Sequence, residues 1–285
     1  IKKYSDDRAW RLVRVPWKPA LRIEAEDAYL NFRSPGYVVA RFIEATVPKG
    51  EKVLALSPVF EAYTTRDILI GYQAASNRTL IDVLWTAMIE DFRPTWRLKF
   101  HFPARQLRKV RVIQTATAEA DIWSVSEFRA LHDGREFPRS PHWKIQAHPY
   151  PWDAWMAVDG NPVTRWRSWQ NLEPGMFLEV DFGQAELADS VWLDCSRDQY
   201  KIRLSLEGQL ASGEWTRLPA EPDNENVTTL PDLRPTAVAE LKRRGVNYLL
   251  LWDHDYGAGE FRTNHAAWGM TPLGERAGAR LYRLD

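Results

Sequence analysis

Apolar positions recur along this chain with two different spacings. After Ser34 and Pro35, residues Val38, Val39, Phe42 and Ile43 fall at i, i+1, i+4 and i+5, which predicts a helix over 36–47 with one apolar stripe. Ser34 is the expected N-cap and Pro35 fits the first helical position, with Pro48 and Gly50 ending the helix. Residues 52–56 and 67–72 contain the short apolar runs Val53-Leu54-Ala55-Leu56 and Ile68-Leu69-Ile70, which read as buried strands. Leu80 to Ile89 suits a helix or a strand, and Leu12 to Val15 reads as a short strand ended by Pro16. The style returns near the C-terminus. Pro235 opens a helix with Ala237, Val238 and Leu241 on one face, and Arg243, Arg244 and Gly245 supply a basic last turn and a stop. Val246 to Trp252 is continuously apolar, as in a strand covered on both faces, and Tyr282 to Leu284 is expected as a last edge strand.

From 107 to 220 the spacing changes to two. Val110 and Val112 alternate with Arg111 and Ile113; Met176, Leu178, Val180 and Phe182 alternate with Phe177, Glu179 and Asp181; Val191, Leu193 and Cys195 alternate with Trp192 and Asp194; Ile202, Leu204 and Leu206 alternate with Arg203 and Ser205. Turn signals at Asp133-Gly134, Asp159-Gly160, Gly183, Gly208 and Gly213 separate these runs. Short alternating strands with regular turns predict a sandwich or barrel. The simplest organisation is a β-sandwich over 106–225 inserted into a discontinuous α/β domain of 1–105 and 226–285.

Charge narrows the partners. Lys and Arg number 38 and Asp and Glu number 38, so the basic excess that nucleic-acid binding draws on is missing from the composition, and no nucleic acid is expected. Cys195 stands alone, so no internal disulfide forms, and it reads as a small buried hydrophobe on a strand. The chain opens Ile-Lys-Lys-Tyr and has no apolar stretch of spanning length. We expect a soluble piece of a larger protein, with any signal peptide or membrane region upstream. The 14 tryptophans are a surplus that position must assign to core, interface or sugar platform.

Trp152, Trp155, Trp166 and Trp169 lie close in sequence, interleaved with Arg165 and Arg167. Sugars offer flat C–H faces that pack on aromatic rings, while planar Arg and amide groups bond their hydroxyls. Trp152, Trp155, Arg167 and Trp169 are therefore candidate ligand contacts, whereas Trp166 is expected in the core and Arg165 in an internal pair. Asp198, Gln199 and Tyr200 sit between two strands, and Gln199 is a further candidate contact, against the alternative of a solvated turn. Asp159, Asn161 and Thr164 offer oxygen ligands on one tight turn. They fit a structural Ca²⁺ and a metal-free Asx turn equally well. The six histidines show no metal spacing. His254-Asp255 follows an expected strand end and, with Asp67, would be the first place to look for an enzyme site in the α/β domain. No phosphate-binding, nucleophile-elbow or Cys-x-x-Cys motif occurs.

The run AVDGNPVTRW at 157–166 resembles the signature loop of discoidin (coagulation factor 5/8 C-type) domains. In order along the chain, WSVSEFRAL at 123–131 and PGMFLEVDFG at 174–183 are similar to that family's strands, and 191–193 and 202–207 suit its later ones. The resemblance implies a galactose-binding-like jelly roll that binds carbohydrate, with a metal at the turn in many related modules. A weaker resemblance, carried by EAYTTRDILIGYQA at 61–74, VRVIQTA at 110–116 and residues 165–181, is to the extracytoplasmic C-terminal region of bacterial integral-membrane glycosyltransferases related to protein mannosyltransferases. It implies a non-catalytic accessory region in the periplasm or cell envelope. Such a region would meet a glycan or lipid-linked sugar and touch the membrane only through the upstream part. Alternatives are a protein–protein or assembly module with tryptophan anchors, or an enzyme sited in the α/β domain.

Overall fold

The computed structural model describes residues 21–227 and 230–285, so the strand expected at Leu12–Val15 lies outside the described residues. Among these residues the helices are α1 (Glu26–Arg33), α2 (Pro35–Thr46), α3 (Ala75–Met88), α4 (Leu233–Arg243) and α5 (Ala258–Trp268). The strands are β1 (Lys52–Ala55), β2 (Asp67–Ile70), β3 (Trp96–Gln114), β4 (Ala118–Val125), β5 (Glu127–His132), β6 (Arg135–Glu136), β7 (Lys144–His148), β8 (Trp166–Leu172), β9 (Phe177–Cys195), β10 (Leu204–Leu210), β11 (Trp215–Leu218), β12 (Pro222–Asn226), β13 (Val246–Trp252), β14 (Met270–Arg276) and β15 (Ala279–Leu284). The fold is mixed α/β, with most strands in antiparallel pairs. Two compact units form. One is drawn from the chain up to Arg78 and from Leu241–Asp285, the other from Thr79–Glu240. The division thus falls outside the expected 105/106 and 225/226 boundaries. Strands β3 and β12 both lie wholly in the second unit, because β12 pairs with the first five residues of β3.

In the first unit, α2 starts where the sequence places it. The Ser34 hydroxyl accepts the Tyr37 N–H at 3.2 Å, and Pro35 needs no partner for a missing N–H. Its buried stripe is Tyr37, Val39, Ala40 and Ile43, rotated from the expected one, and Val38 and Phe42 are half-buried. A Cβ on Gly36 would come within 3.0 Å of the Phe60 ring, so glycine is what allows the first turn of the helix to approach that ring. Val39, Ala40, Ile43 and Val47 pack with Val53, Ala55, Ile68, Ile70, Leu250 and Leu281 in one core. The sheet order is β14-β15-β13-β1-β2, with β1 parallel to both β13 and β2. Tyr248 to Leu251 are all buried, as a strand covered on both faces requires. Residues 282–284 do not form an edge. Strand β15 pairs on both sides, with β13 and β14, which is why Tyr282 and Leu284 are buried.

In the second unit, β3 and β9 are 19-residue strands that run side by side at the centre of one eight-stranded sheet, order β11-β10-β3-β9-β5-β6, with β12 added to β3 and β7 to β9. Residues 96–101 of β3 and 190–195 of β9 lie between β12 and β5, and β6 extends β5. Residues 107–113 of β3 and 177–181 of β9 lie between β10 and β7, and β11 extends β10. The register slips between His101 and Arg105 and again between Leu107 and Lys109, and there the strands bend. Where Gly183 was expected to end one strand, it sits inside β9 at φ 84°, a bulge conformation that glycine adopts freely. The stretch 123–131 divides at Ser126 into β4, paired with β8, and β5, paired with β9. Leu98, Phe100, Val112, Leu178 and Leu206 from this sheet and Trp123 and Trp166 from the two-stranded β4–β8 sheet share one core. Cys195 joins that core, and burial pushes its thiol far above the ordinary range, so it is chemically quiet. Among the described residues no helix is long and apolar enough to cross a membrane.

Candidate functional site

Strand β8 sets the site by alternation. Trp166 and Ser168 turn inward, whereas Arg167 and Trp169 face the other side. Trp166 is fully buried, edge-on to Trp123 at 4.9 Å, with its indole N–H donating to the Tyr150 carbonyl at 2.9 Å. Arg165, just before the strand, is buried too. Its Nε and Nη2 donate to the two oxygens of Asp82 on α3, both at 2.8 Å, and its Nη1 donates to Ser196. Arg167 adds a third donor to Asp82, Nη1 to Oδ1 at 2.5 Å. Burial alone would raise the Asp82 carboxyl, but the Arg165 and Arg167 guanidiniums outweigh it and hold the group below the usual carboxylate range. Arg167 also stacks on Trp169, 4.5 Å from the ring centroid, and Arg165 on Phe92, at 4.6 Å.

The expected ligand contacts therefore separate. Arg167 and Trp169 come together, but Arg167 gives its Nη1 to Asp82, its Nε is buried without a hydrogen-bond partner, and its side chain is only 11% exposed. Gln199 is buried; its Oε1 accepts the Ser124 N–H at 2.8 Å and its Nε2 donates to the Ile122 carbonyl at 3.0 Å. It secures the β4 backbone to the following turn and offers nothing to a surface ligand. Trp152 and Trp155 behave differently. They lie three apart on the 3-10 turn Pro151–Ala157, in which residues i and i+3 eclipse, so both indoles project from one side. They are 68% and 41% exposed, while Ala154, Met156 and Ala157 on the other side are buried. Asp153 holds the turn by accepting the Thr79 hydroxyl at 3.0 Å. Thr79 lies one turn before Asp82 on α3, so a single helical turn secures both the indole-bearing segment and the arginine cluster.

The Asp159–Thr164 turn closes on itself. Both Asp159 oxygens accept the Thr164 hydroxyl at 2.9 Å, Oδ1 also takes the Asn161 N–H, and Asn161 Oδ1 takes the Val163 N–H at 3.3 Å. Gly160 N–H donates to Glu127, and the Arg139 guanidinium would lie 3.5 Å from a Cβ at Gly160. The Asp159 and Asn161 side-chain oxygens thus accept hydrogen bonds within the turn, in the pattern of an Asx turn, and Asn161 Nδ2 donates to Glu240 at 3.2 Å. A more metal-like set gathers elsewhere. His132, Asp133 and Asp189 bring one ligand atom each within 4.8 Å of one another, with His132 Nδ1 at 3.1 Å from Asp189 Oδ2. No spacing in the sequence announces it, because Asp189 joins the β5–β6 turn only through strand pairing.

The enzyme candidates do not meet. Asp67 opens β2 opposite Lys52, which also faces Val246 at the start of β13, and His254 and Asp255 follow the far end of β13. At ~3.3 Å per residue the two ends are roughly 20 Å apart. Asp255 is buried and capped, accepting the Trp252 N–H at 2.7 Å and the Ser57 hydroxyl. No family model, curated protein or solved structure matches this chain.

Proposed function

We propose that the second unit binds carbohydrate on the Trp152–Trp155 side of the 3-10 turn, and that the chain is a non-catalytic accessory region of a larger membrane glycosyltransferase-like protein. The observation that carries the first part is the pair of exposed indoles three positions apart on a 3-10 turn whose Ala154, Met156 and Ala157 are buried. Exposing two large rings costs solvation free energy that a soluble surface ordinarily avoids, and a sugar face recovers it without demanding charge. In this reading the second unit is a galactose-binding-like jelly roll inserted into the α/β unit. Its support is the single core shared by the eight-stranded sheet and the β4–β8 pair, and the position in sequence of Thr79–Glu240 between the two stretches of the first unit. The extracytoplasmic setting, and a glycan or lipid-linked sugar as the natural ligand, rest on the segment resemblances alone.

The test is a glycan array followed by calorimetric titration of the best hit. Trp152→Ala and Trp155→Ala should each weaken binding about tenfold or more, roughly 1.4 kcal/mol, with an unchanged melting temperature. If no glycan binds, or binding survives both changes, the carbohydrate reading fails. Concentration-dependent self-association that disappears in the same variants would instead assign the indoles to a protein interface.

A further inference from the structure

One side of the β4–β8 pair belongs to the core, through Trp123, Val125 and Trp166. The other side carries Ser124 and Arg167, which lie opposite each other across the two strands, so their Cβ atoms are about 4.5–5.5 Å apart. Each has an atom that nothing answers. Arg167 Nε and Ser124 Oγ are both buried with no hydrogen-bond partner among the described residues. A third such atom is Thr86 Oγ1, on a fully buried residue one helical turn after Asp82 on the same side of α3.

The two arginines of the cluster show what is missing. Arg165 turns its Nε and Nη2 to the two oxygens of Asp82, at 2.8 Å each, and gives Nη1 to Ser196. Arg167 reaches Asp82 with Nη1, and its own Nε edge, the edge that clasps a carboxylate in Arg165, takes no acceptor. The other acid that acts on this pair, Asp198, accepts the Ser196 hydroxyl at 2.5 Å and bonds neither guanidinium among the described residues. Burial is the largest influence on the Arg167 guanidinium. With the like charge of Arg165 it outweighs the pull of Asp82 and holds the pKa below the ordinary value. Trp169 stacks on the group from a register break in β8, at φ 51°, a left-handed conformation that is costly for an aromatic residue. Strain of that kind persists where the surroundings fix it, and it clusters at ligand sites.

The guanidinium N–H and the two hydroxyls can all donate, so the complementary group is an acceptor with negative charge. Burial favours a single charge over a double one, because a dianion costs more to desolvate. We propose that Arg167, Ser124 and Thr86 form an internal site for a small monovalent anion, either chloride or the carboxylate of a ligand. The site uses neither Trp152 nor Trp155, so glycan binding on the 3-10 turn and anion binding here stand or fall separately.

The experiment follows the NMR linewidth of chloride in the presence of the full chain at fixed ionic strength, with acetate and, separately, sulfate as competitors. The folded chain should broaden the chloride line, and acetate should reverse the broadening. Ser124→Ala and Thr86→Val should each reduce it severalfold while leaving the melting temperature in chloride-poor buffer unchanged, since neither hydroxyl has a bond to lose there. Arg167→Gln should abolish it. Broadening that acetate leaves in place assigns the site to chloride alone. An unbroadened line, with a melting temperature that rises with acetate and loses that rise in Ser124→Ala, assigns it to carboxylates alone. Neither effect, effects that survive both hydroxyl variants, or reversal by sulfate as complete as by acetate, which is screening of surface charge, would each overturn the proposal.

Discussion

The two sheets handle charge in opposite ways. Around β13 of the first unit, Tyr248 to Leu251 are buried one after another, so neither face of that strand has room for a charged side chain. In the second unit the inner side of β3 and β9 is apolar, while the other side is a ladder of crossed charges and rings. Arg97 bonds Asp194 at 2.6 Å, Lys109 and Arg111 both bond Glu179, and Arg111 lies over the Phe177 and Trp215 rings. Trp192 sits between Arg97 and Lys99 in the same manner. Opposite-charge pairs across strands tie neighbours together, and they also keep a broad antiparallel face from presenting an apolar surface. Where charge goes deep in this unit, at Asp82, it is fully answered by Arg165 and Arg167. Period two in sequence thus marks a sheet with one wet side, and an unbroken apolar run marks a sheet with none.

Asp82→Asn tests that contrast at its strongest point. The variant keeps the shape but leaves two buried guanidiniums facing a neutral amide. Breaking a buried pair in this way typically costs about 3–5 kcal/mol, to be measured by chemical denaturation of the whole chain. A loss below about 1 kcal/mol would mean that water reaches the cluster and that Asp82 is not truly internal.

Neighbouring positions provide the next test. Leu249→Ala and Leu250→Ala should each cost ~2–5 kcal/mol, because both are fully buried on adjacent positions of β13. Leu98→Ala on β3 should cost a similar amount. Lys99→Ala, one position on, should cost under ~1 kcal/mol, since it removes one partly exposed ion pair with Glu225 and a contact to Trp192. Equal losses at Leu98 and Lys99 would remove the distinction between the two sheets.

These same contrasts explain how far the sequence could be read. The α2 cap, β13 and the inward side of β3 and β9 are local patterns, visible in Ser34-Pro35, in Val246 to Trp252 and in Val110 with Val112. The continuity of β9 was hidden because Gly183 supports a turn or a bulge equally well, and only pairing with β3 decides which. Helix α1 gave no stripe to find, since none of its residues is buried. Of the site, Trp152 and Trp155 were legible only as members of a tryptophan cluster at 152–169, which did not set them apart from the half-buried Trp169. The Asp82 cluster was not, because Asp82 and Arg165 are 83 positions apart. Gln199 looked like a loop residue, and its burial depends on backbone groups at Ile122 and Ser124 that no local pattern predicts.

The smallest expected effect lies at the edge of the charged face, where Glu127 on β5 is buried beside the Asp159–Thr164 turn. Burial pushes its carboxyl up to about 7, against the pull of Arg139, whose Nη2 donates at 2.6 Å, and of the Gly160 N–H. The folded chain then holds a proton between pH 4.5 and 7 that the unfolded chain has lost. The unfolded state binds fewer protons in that window, so this group's contribution to stability is full below about 4.5 and declines as pH rises through 7. Glu127→Gln cannot ionise, so its unfolding free energy, measured by urea titration in half-unit steps, should fall less steeply than the parent's across that window. Parallel curves for the two proteins would show that Arg139 keeps Glu127 ionised throughout. Glu127 would then belong with Asp82 as a fully answered internal charge, and the second unit would handle every deep carboxylate in the same way.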